Sequence, residues 1–201
     1  LLSRFGSGRD AHLWRLLLVS LAWMIFMAAT KFEKFYTLIN FQTMASQFPE
    51  FGLMALGVML CMITGGIDLS PVGIANLTAI LMAFLMKALV REDGGLDWYV
   101  IPLVFALGGL IGALLGTLNG LLVSRARIPP ILATLGMSEL LAGVAIVLTN
   151  GNAVSKLPVA YALSINNKLF SLIPVQLIIF SVMAAFIWFL LSRTTFGTKI
   201  Y

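Results

Sequence analysis

Asp68 and Glu139 are acids set in stretches that otherwise carry no charge. Asp68 stands in Ile63-Thr64-Gly65-Gly66-Ile67-Asp68-Leu69-Ser70-Pro71, and Glu139 between Gly136-Met137-Ser138 and Leu140-Leu141. Asn76 and Asn119 place uncharged polar groups in two further apolar runs. Paired carboxylates can share acid–base work, but one of these is Glu and neither lies in a supporting motif, so an aspartyl-type catalytic pair is a poor match. The single Cys61 and the single His12 supply no nucleophile–base arrangement, no disulfide and no cluster able to hold a metal. There is no Gly-x-x-x-x-Gly-Lys-Ser/Thr loop, so the chain should not hydrolyse nucleotide by itself. No catalytic residue, cofactor or metal is expected; what remains is the chemistry of polar groups held in apolar surroundings.

Those surroundings span the whole chain. Of its 201 residues 60% are hydrophobic and 10% charged, against about 25% charged in an ordinary soluble domain. A soluble globule is excluded. The +5 formal charge then points to an anionic membrane surface or a topology signal rather than to nucleic acid. A helix needs about 20 apolar residues to cross a bilayer, and six blocks qualify: about Leu13–Thr30, Phe51–Thr64, Val72–Val90, Tyr99–Val123, Ile131–Leu148 and Ile173–Leu191. The expectation is an all-α polytopic membrane protein, one transmembrane domain over residues 1–201, with about six crossings. The second block is short and suits a broken helix around Gly65–Pro71. Pro49, Pro71, Pro102, Pro130 and Pro174 each stand at the start of a block, where a missing N–H is harmless.

Orientation follows Lys and Arg. Arg4, Arg9, Arg15, Arg125, Arg127, Arg193 and Lys199 fall on one side, and Lys31, Lys34, Lys87, Arg91, Lys156 and Lys168 on the other. Arg125 and Arg127 occupy one very short loop, which places both termini in the cytoplasm. Trp14, Trp98 and Tyr99 suit interfacial belts, and the methionines suit adaptable packing between helices.

Two readings of the acidic turn stand side by side. A carboxylate at membrane depth must face protein, water or a cation, and bare backbone there survives only beside protein or a wet cavity; Gly65, Gly66, Asp68 and Pro71 would then form a hinge lining a pathway. Alternatively Asp68 or Ser70 caps the helix that Pro71 begins, a role that suits Ser70 well. Glu139 should face the bundle interior and pair with a Ser, Thr, Asn or backbone donor, or line the path. Asn76 and Asn119 either bond across helices or meet a polar solute. Gly108, Gly112, Gly116 and Gly120 recur every fourth residue, the spacing of a close helix-packing seam, on a helix of this chain or of a second subunit.

These pieces together resemble a family. Ile63-Thr64-Gly65-Gly66-Ile67-Asp68-Leu69-Ser70 is similar to the signature of permease subunits of bacterial ABC importers for simple sugars, the ribose-type group related to branched-chain amino acid permeases. Three more segments follow in that family's order: Gly120-Leu121-Leu122-Val123, Ile128-Pro129-Pro130-Ile131-Leu132-Ala133-Thr134-Leu135-Gly136-Met137, and Leu148-Thr149-Asn150-Gly151 ahead of Leu157-Pro158. Arg193-Thr194-Thr195-Phe196-Gly197 resembles its basic turn, and Pro71-Val72-Gly73-Ile74 stands where the sugar permeases continue Val-Gly-Ser. The resemblance implies a bacterial plasma-membrane permease subunit that moves a small polar solute such as a monosaccharide. Its partners would be a second permease subunit, cytoplasmic ATPase subunits and an extracytoplasmic solute-binding protein. It also implies about ten spans, so that the chain is expected to be an N-terminal part whose ATPase-coupling residues lie beyond Tyr201. The rival is an ion-coupled secondary carrier or channel using Asp68 or Glu139, which needs no partner.

Overall fold

The computed structural model describes residues 8–91, 95–165, 168–169 and 173–200. Arg4 of the charge argument lies outside the described residues. Among the described residues eight helices follow in order: α1 (Gly8–Phe35), α2 (Leu38–Ile63), α3 (Pro71–Ala88), α4 (Val100–Ser124), α5 (Pro130–Thr149), α6 (Val159–Ile165), α7 (Val175–Arg193) and α8 (Thr195–Ile200). Among the described residues the extended structure is one two-residue antiparallel pair, β1 (Lys168–Leu169) with β2 (Ile173–Pro174). Among the described residues six helices are long and apolar enough to cross a membrane: Leu13–Phe35 of α1, then α2, α3, α4, α5 and α7. The all-α, polytopic, six-span class is therefore present, and the protein is a multi-pass membrane protein.

Pro71 and Pro130 take the first position of α3 and α5, and Pro174 precedes α7, as a residue without an N–H should. Pro49 does not. It lies inside α2 and is among the most completely buried residues. The second block is thus no short span beginning near Phe51 but a helix of 26 residues. Its first turns, rich in Asn40, Gln42, Thr43, Ser46 and Glu50, are polar enough to have read as a loop. The break nevertheless stands: residues 64–70 between α2 and α3 are not helical.

The chain forms two compact units, residues 1–45 and 46–201. In the first, α1 is interrupted at Lys31 (φ −143°, ψ 40°), and Tyr36 donates its hydroxyl to the Met24 carbonyl at 3.2 Å. Thr37 caps α2, its hydroxyl oxygen accepting the Asn40 N–H at 3.2 Å, the role of a small hydroxyl residue ahead of a helix.

In the second unit α3 packs against both α4 and α5. Met82 and Met86 of α3 meet Val100 and Val104 of α4, with Tyr161 of α6 against them; Leu77 meets Leu141 and Ala145 of α5. Burial pushes the Tyr161 phenol above the usual tyrosine range. α3 and α5 cross closely at Gly73 and Ser138: a Cβ on Gly73 would stand 2.9 Å from the Ser138 Cα and carbonyl oxygen. Gly52 serves the same purpose for α7, since a Cβ there would meet the Phe180 ring, which Phe48 also contacts edge-on at 5.2 Å between centroids.

Candidate functional site

The end of α2 is built by its glycines. Gly65 adopts φ +84°, its N–H donates to the Met62 carbonyl at 3.1 Å, and the Gly66 N–H donates to the Cys61 carbonyl at 3.1 Å. This paired bonding closes a helix C-terminus and requires a left-handed residue, which glycine supplies without steric cost. Thr64 adds a hydroxyl bond to the Cys61 carbonyl at 2.7 Å. The chain then runs non-helical past Gly66, where an added Cβ would meet Pro130 at ordinary contact distance, and delivers Asp68 to the head of α3.

Asp68 Oδ1 collects three donors. The Ser70 N–H reaches it at 2.8 Å, the Ser70 hydroxyl at 2.7 Å and the Asn119 amide at 3.5 Å. Asn119 also donates to Ser70 Oγ at 2.9 Å. Ser70 is fully buried and Asn119 is 3% exposed. The hydroxyl of Ser70 is committed to Asp68, and α3 has no side-chain cap bond at Ser70. Ser70 therefore does not cap α3; it links α3 to α4 through Asp68 and Asn119. Asp68 Oδ2 lies on the other side, 3.7 Å from the Cys61 thiol.

Asp68 and Asn119 share a cavity of about 290 Å³ with Cys61, Thr64, Gly65, Gly66, Gly116, Gly120, Pro130 and Thr134 among its walls. Thr134 is buried and donates to the Ile67 carbonyl at 3.3 Å, tying α5 to the turn. The structure thus brings together Gly65, Gly66, Asp68, Ser70 and Asn119, with Pro71 starting the next helix. Cys61 and Thr134 were not singled out by sequence; only their proximity in space marks them.

The other acid behaves differently. Asp68 lies between spans, whereas Glu139 falls in the middle of the α5 span. Glu139 is exposed, and no hydrogen bond or ion pair engages it among the described residues. The expectation that it faces the interior is corrected: at 100° per residue it stands about 160° around the helix from Leu141, and Leu141, Thr134 and Ala145 form the buried face. Asn76 is exposed on α3 and lines a separate cavity of about 490 Å³ with Thr149 and Asn152. The glycine stripe of α4 meets another helix of this chain at one of its four positions. A Cβ on Gly108 would touch Met82 and Thr78 of α3, but Gly112, Gly116 and Gly120 have nothing within 4 Å. Within this chain the stripe is a seam at Gly108 only; Gly116 and Gly120 open on the Asp68 cavity.

Membrane-length helices, interrupted at a glycine-capped turn with a cavity and a carboxylate at the interruption, define a polytopic membrane protein. Residues 40–201 match the family described as branched-chain amino acid transport system / permease component. The chain belongs to that family. Among curated proteins it is similar to the Autoinducer 2 import system permease protein LsrC of Yersinia pseudotuberculosis serotype O:3 (strain YPIII), at 34% identity over 169 residues, covering 84% of this chain and 45% of the relative. The protein of the same name from Yersinia pestis (strain Pestoides F) is 33% identical over the same shares. The chain spans about half the length of the curated relatives it matches. No solved structure matches it.

Proposed function

We propose that residues 1–201 form a transmembrane permease domain of an ATP-driven importer subunit that carries a small polar solute, of the monosaccharide kind, into the cytoplasm of a bacterium. The observation that carries this reading is the cavity that Asp68 and Asn119 share between the end of α2, the α2–α3 turn, α4 and the start of α5, with Ser70 buried behind them and bonded to both, in a chain of a permease family. Likeness to permeases named for autoinducer 2 import supports a small polar solute over a lipid. Gly65, Gly66 and Pro71 serve as the hinge, and Asp68, Ser70, Asn76, Asn119 and Glu139 are the polar groups of the path. Alternating access then rests on two packings of similar stability, to which partners contribute unequal contact energy.

The partners in this reading are a second permease subunit, cytoplasmic ATPase subunits and an extracytoplasmic solute-binding protein. Both ends of the chain face the cytoplasm in the plasma membrane, the side on which Arg125 and Arg127 share one short loop. The test is uptake of labelled monosaccharides by the full permease reconstituted with its ATPase and binding protein. The expected result is uptake that requires ATP and falls at least about tenfold in Asp68→Asn. Uptake driven by an imposed proton gradient without ATPase overturns the reading in favour of an ion-coupled carrier.

A further inference from the structure

A cavity of about 440 Å³ lies among α2, α4, α6 and α7, walled in part by Glu50, Phe105, Tyr161 and Gln176. α4 and α7 begin at this cavity, and α4 runs from it to the Asp68 cavity, where Gly116, Asn119 and Gly120 form the wall. The two cavities therefore stand toward opposite ends of α4. Packing fixes the walls: Tyr161 rests against the Met82, Met86, Val100 and Val104 cluster, and α2 meets α7 through the Phe48 and Phe180 rings. The volume falls in the range of small-molecule sites, about 300–1,000 Å³.

The polar groups of this wall are unspent. No hydrogen bond or ion pair engages the side chains of Glu50, Tyr161 or Gln176 among the described residues. The Gln176 oxygen is buried without a partner, whereas neither its NH2 group nor the Tyr161 hydroxyl is sealed. Glu50 is exposed, and its carboxylate accepts; the Tyr161 hydroxyl and the Gln176 NH2 group donate. α4 and α7 both start without a side-chain cap, so their first-turn N–H groups add donors. Charge then selects among ligands. Among the described residues no Lys, Arg or His forms the wall. The two helix N-termini carry about half a positive unit each, which offsets the single charge of Glu50, so the cavity favours neither a cation nor an anion. An ammonium group would leave the donors unmet, and an anion would face Glu50. A hydroxyl both donates and accepts, and several on one neutral ring satisfy the carboxylate and the donors together. Phe105, 53% exposed, offers the apolar wall that such sites combine with a few polar groups.

We propose that this cavity is a second solute site, at the extracytoplasmic end of the bundle, which binds a neutral polyhydroxylated ring through the Glu50 carboxylate, the Tyr161 hydroxyl and the Gln176 amide, with Phe105 against the ring's apolar face. The site rests on the importer reading for its purpose and its side of the membrane, and on its own polar groups for its chemistry. The test is saturation-transfer NMR on the full permease in a detergent without a sugar head group, with D-ribose, D-galactose and myo-inositol as probes and ethanolamine and inorganic phosphate as charged controls. At least one polyol should receive saturation, with affinity falling about tenfold in Glu50→Gln, as on loss of a charged acceptor. Tyr161→Phe keeps the ring packed and removes only the hydroxyl, so it remains informative if Glu50→Gln fails to fold; it should weaken binding about threefold or more. Transfer to none of the three polyols overturns the proposal, as does transfer to ethanolamine or phosphate in their place. Polyol binding that neither substitution weakens also overturns it, because the polyol then sits elsewhere, as at Asp68. These measurements use neither ATP nor ATPase, so loss of this site and loss of ATP-driven uptake are separate results.

Discussion

Asn119 and Ser70, 49 residues apart in the chain, meet through a buried 2.9 Å hydrogen bond that ties α4 to the head of α3. Because Ser70 is itself bonded to Asp68, removing the amide weakens two links at once. Asn119→Ala should lower stability by about 1–3 kcal/mol, the usual cost of stranding a buried polar group. Asn119→Asp should cost more, since a second carboxylate would stand beside Asp68. Thermal unfolding of the two variants in detergent checks the order; equal stability of Asn119→Ala and the parent would show that the link carries no weight.

The two glycines of the turn are not equivalent. Gly65 has φ +84°, where any other residue is strained, so Gly65→Ala should destabilise by about 1–2 kcal/mol. Gly66→Ala places its Cβ 3.6 Å from Pro130, an ordinary contact, and should be close to neutral. A melting comparison that ranks the two in the opposite order would refute the left-handed cap.

Gly73 has a larger role than its place in the sequence suggests. Gly73→Ala drives a methyl group to 2.9 Å from Ser138 backbone atoms, which cannot rotate away, so α3 and α5 must separate. Overpacking of this kind costs about 1–3 kcal/mol. Gly112→Ala is the control, with nothing within 4 Å. Unfolding midpoints should fall for the first and hold for the second.

How far these relationships are legible in sequence depends on whether they are local. Pro71 and Pro130 mark helix starts because the missing N–H acts within one turn. The Gly65-Gly66 break is local in the same way, as left-handed backbone and a closed helix end need only adjacent residues. Pro49 misled because a proline can sit inside a long helix when tertiary packing buries it. The polar first turns of α2 lowered its hydropathy and hid its start. Asp68, Ser70 and Asn119 were each conspicuous as polar residues in apolar runs, but their meeting is a tertiary fact with no periodicity to announce it. The four-residue glycine spacing predicts a smooth helix face, but which of its glycines meets α3, Gly108 alone of the four, is set by tertiary packing.

Glu139 makes the sharpest separation between what this chain holds and what it lacks. It sits mid-span on the exposed side of α5, where a carboxylate such as Asp costs about 2.5–3.5 kcal/mol if lipid covers it. A Cβ added at Gly136 or Gly143, its neighbours on that face, would meet nothing within 4 Å. Nothing in the described residues would be lost on replacing it, so Glu139→Gln should leave the thermal stability of residues 1–201 in detergent unchanged. In the importer proposed above, the same substitution should reduce ATP-dependent uptake at least about tenfold, as expected of a polar group on the path or against a partner helix. Uptake at the parental rate, with normal expression, would show that the carboxylate faces neither.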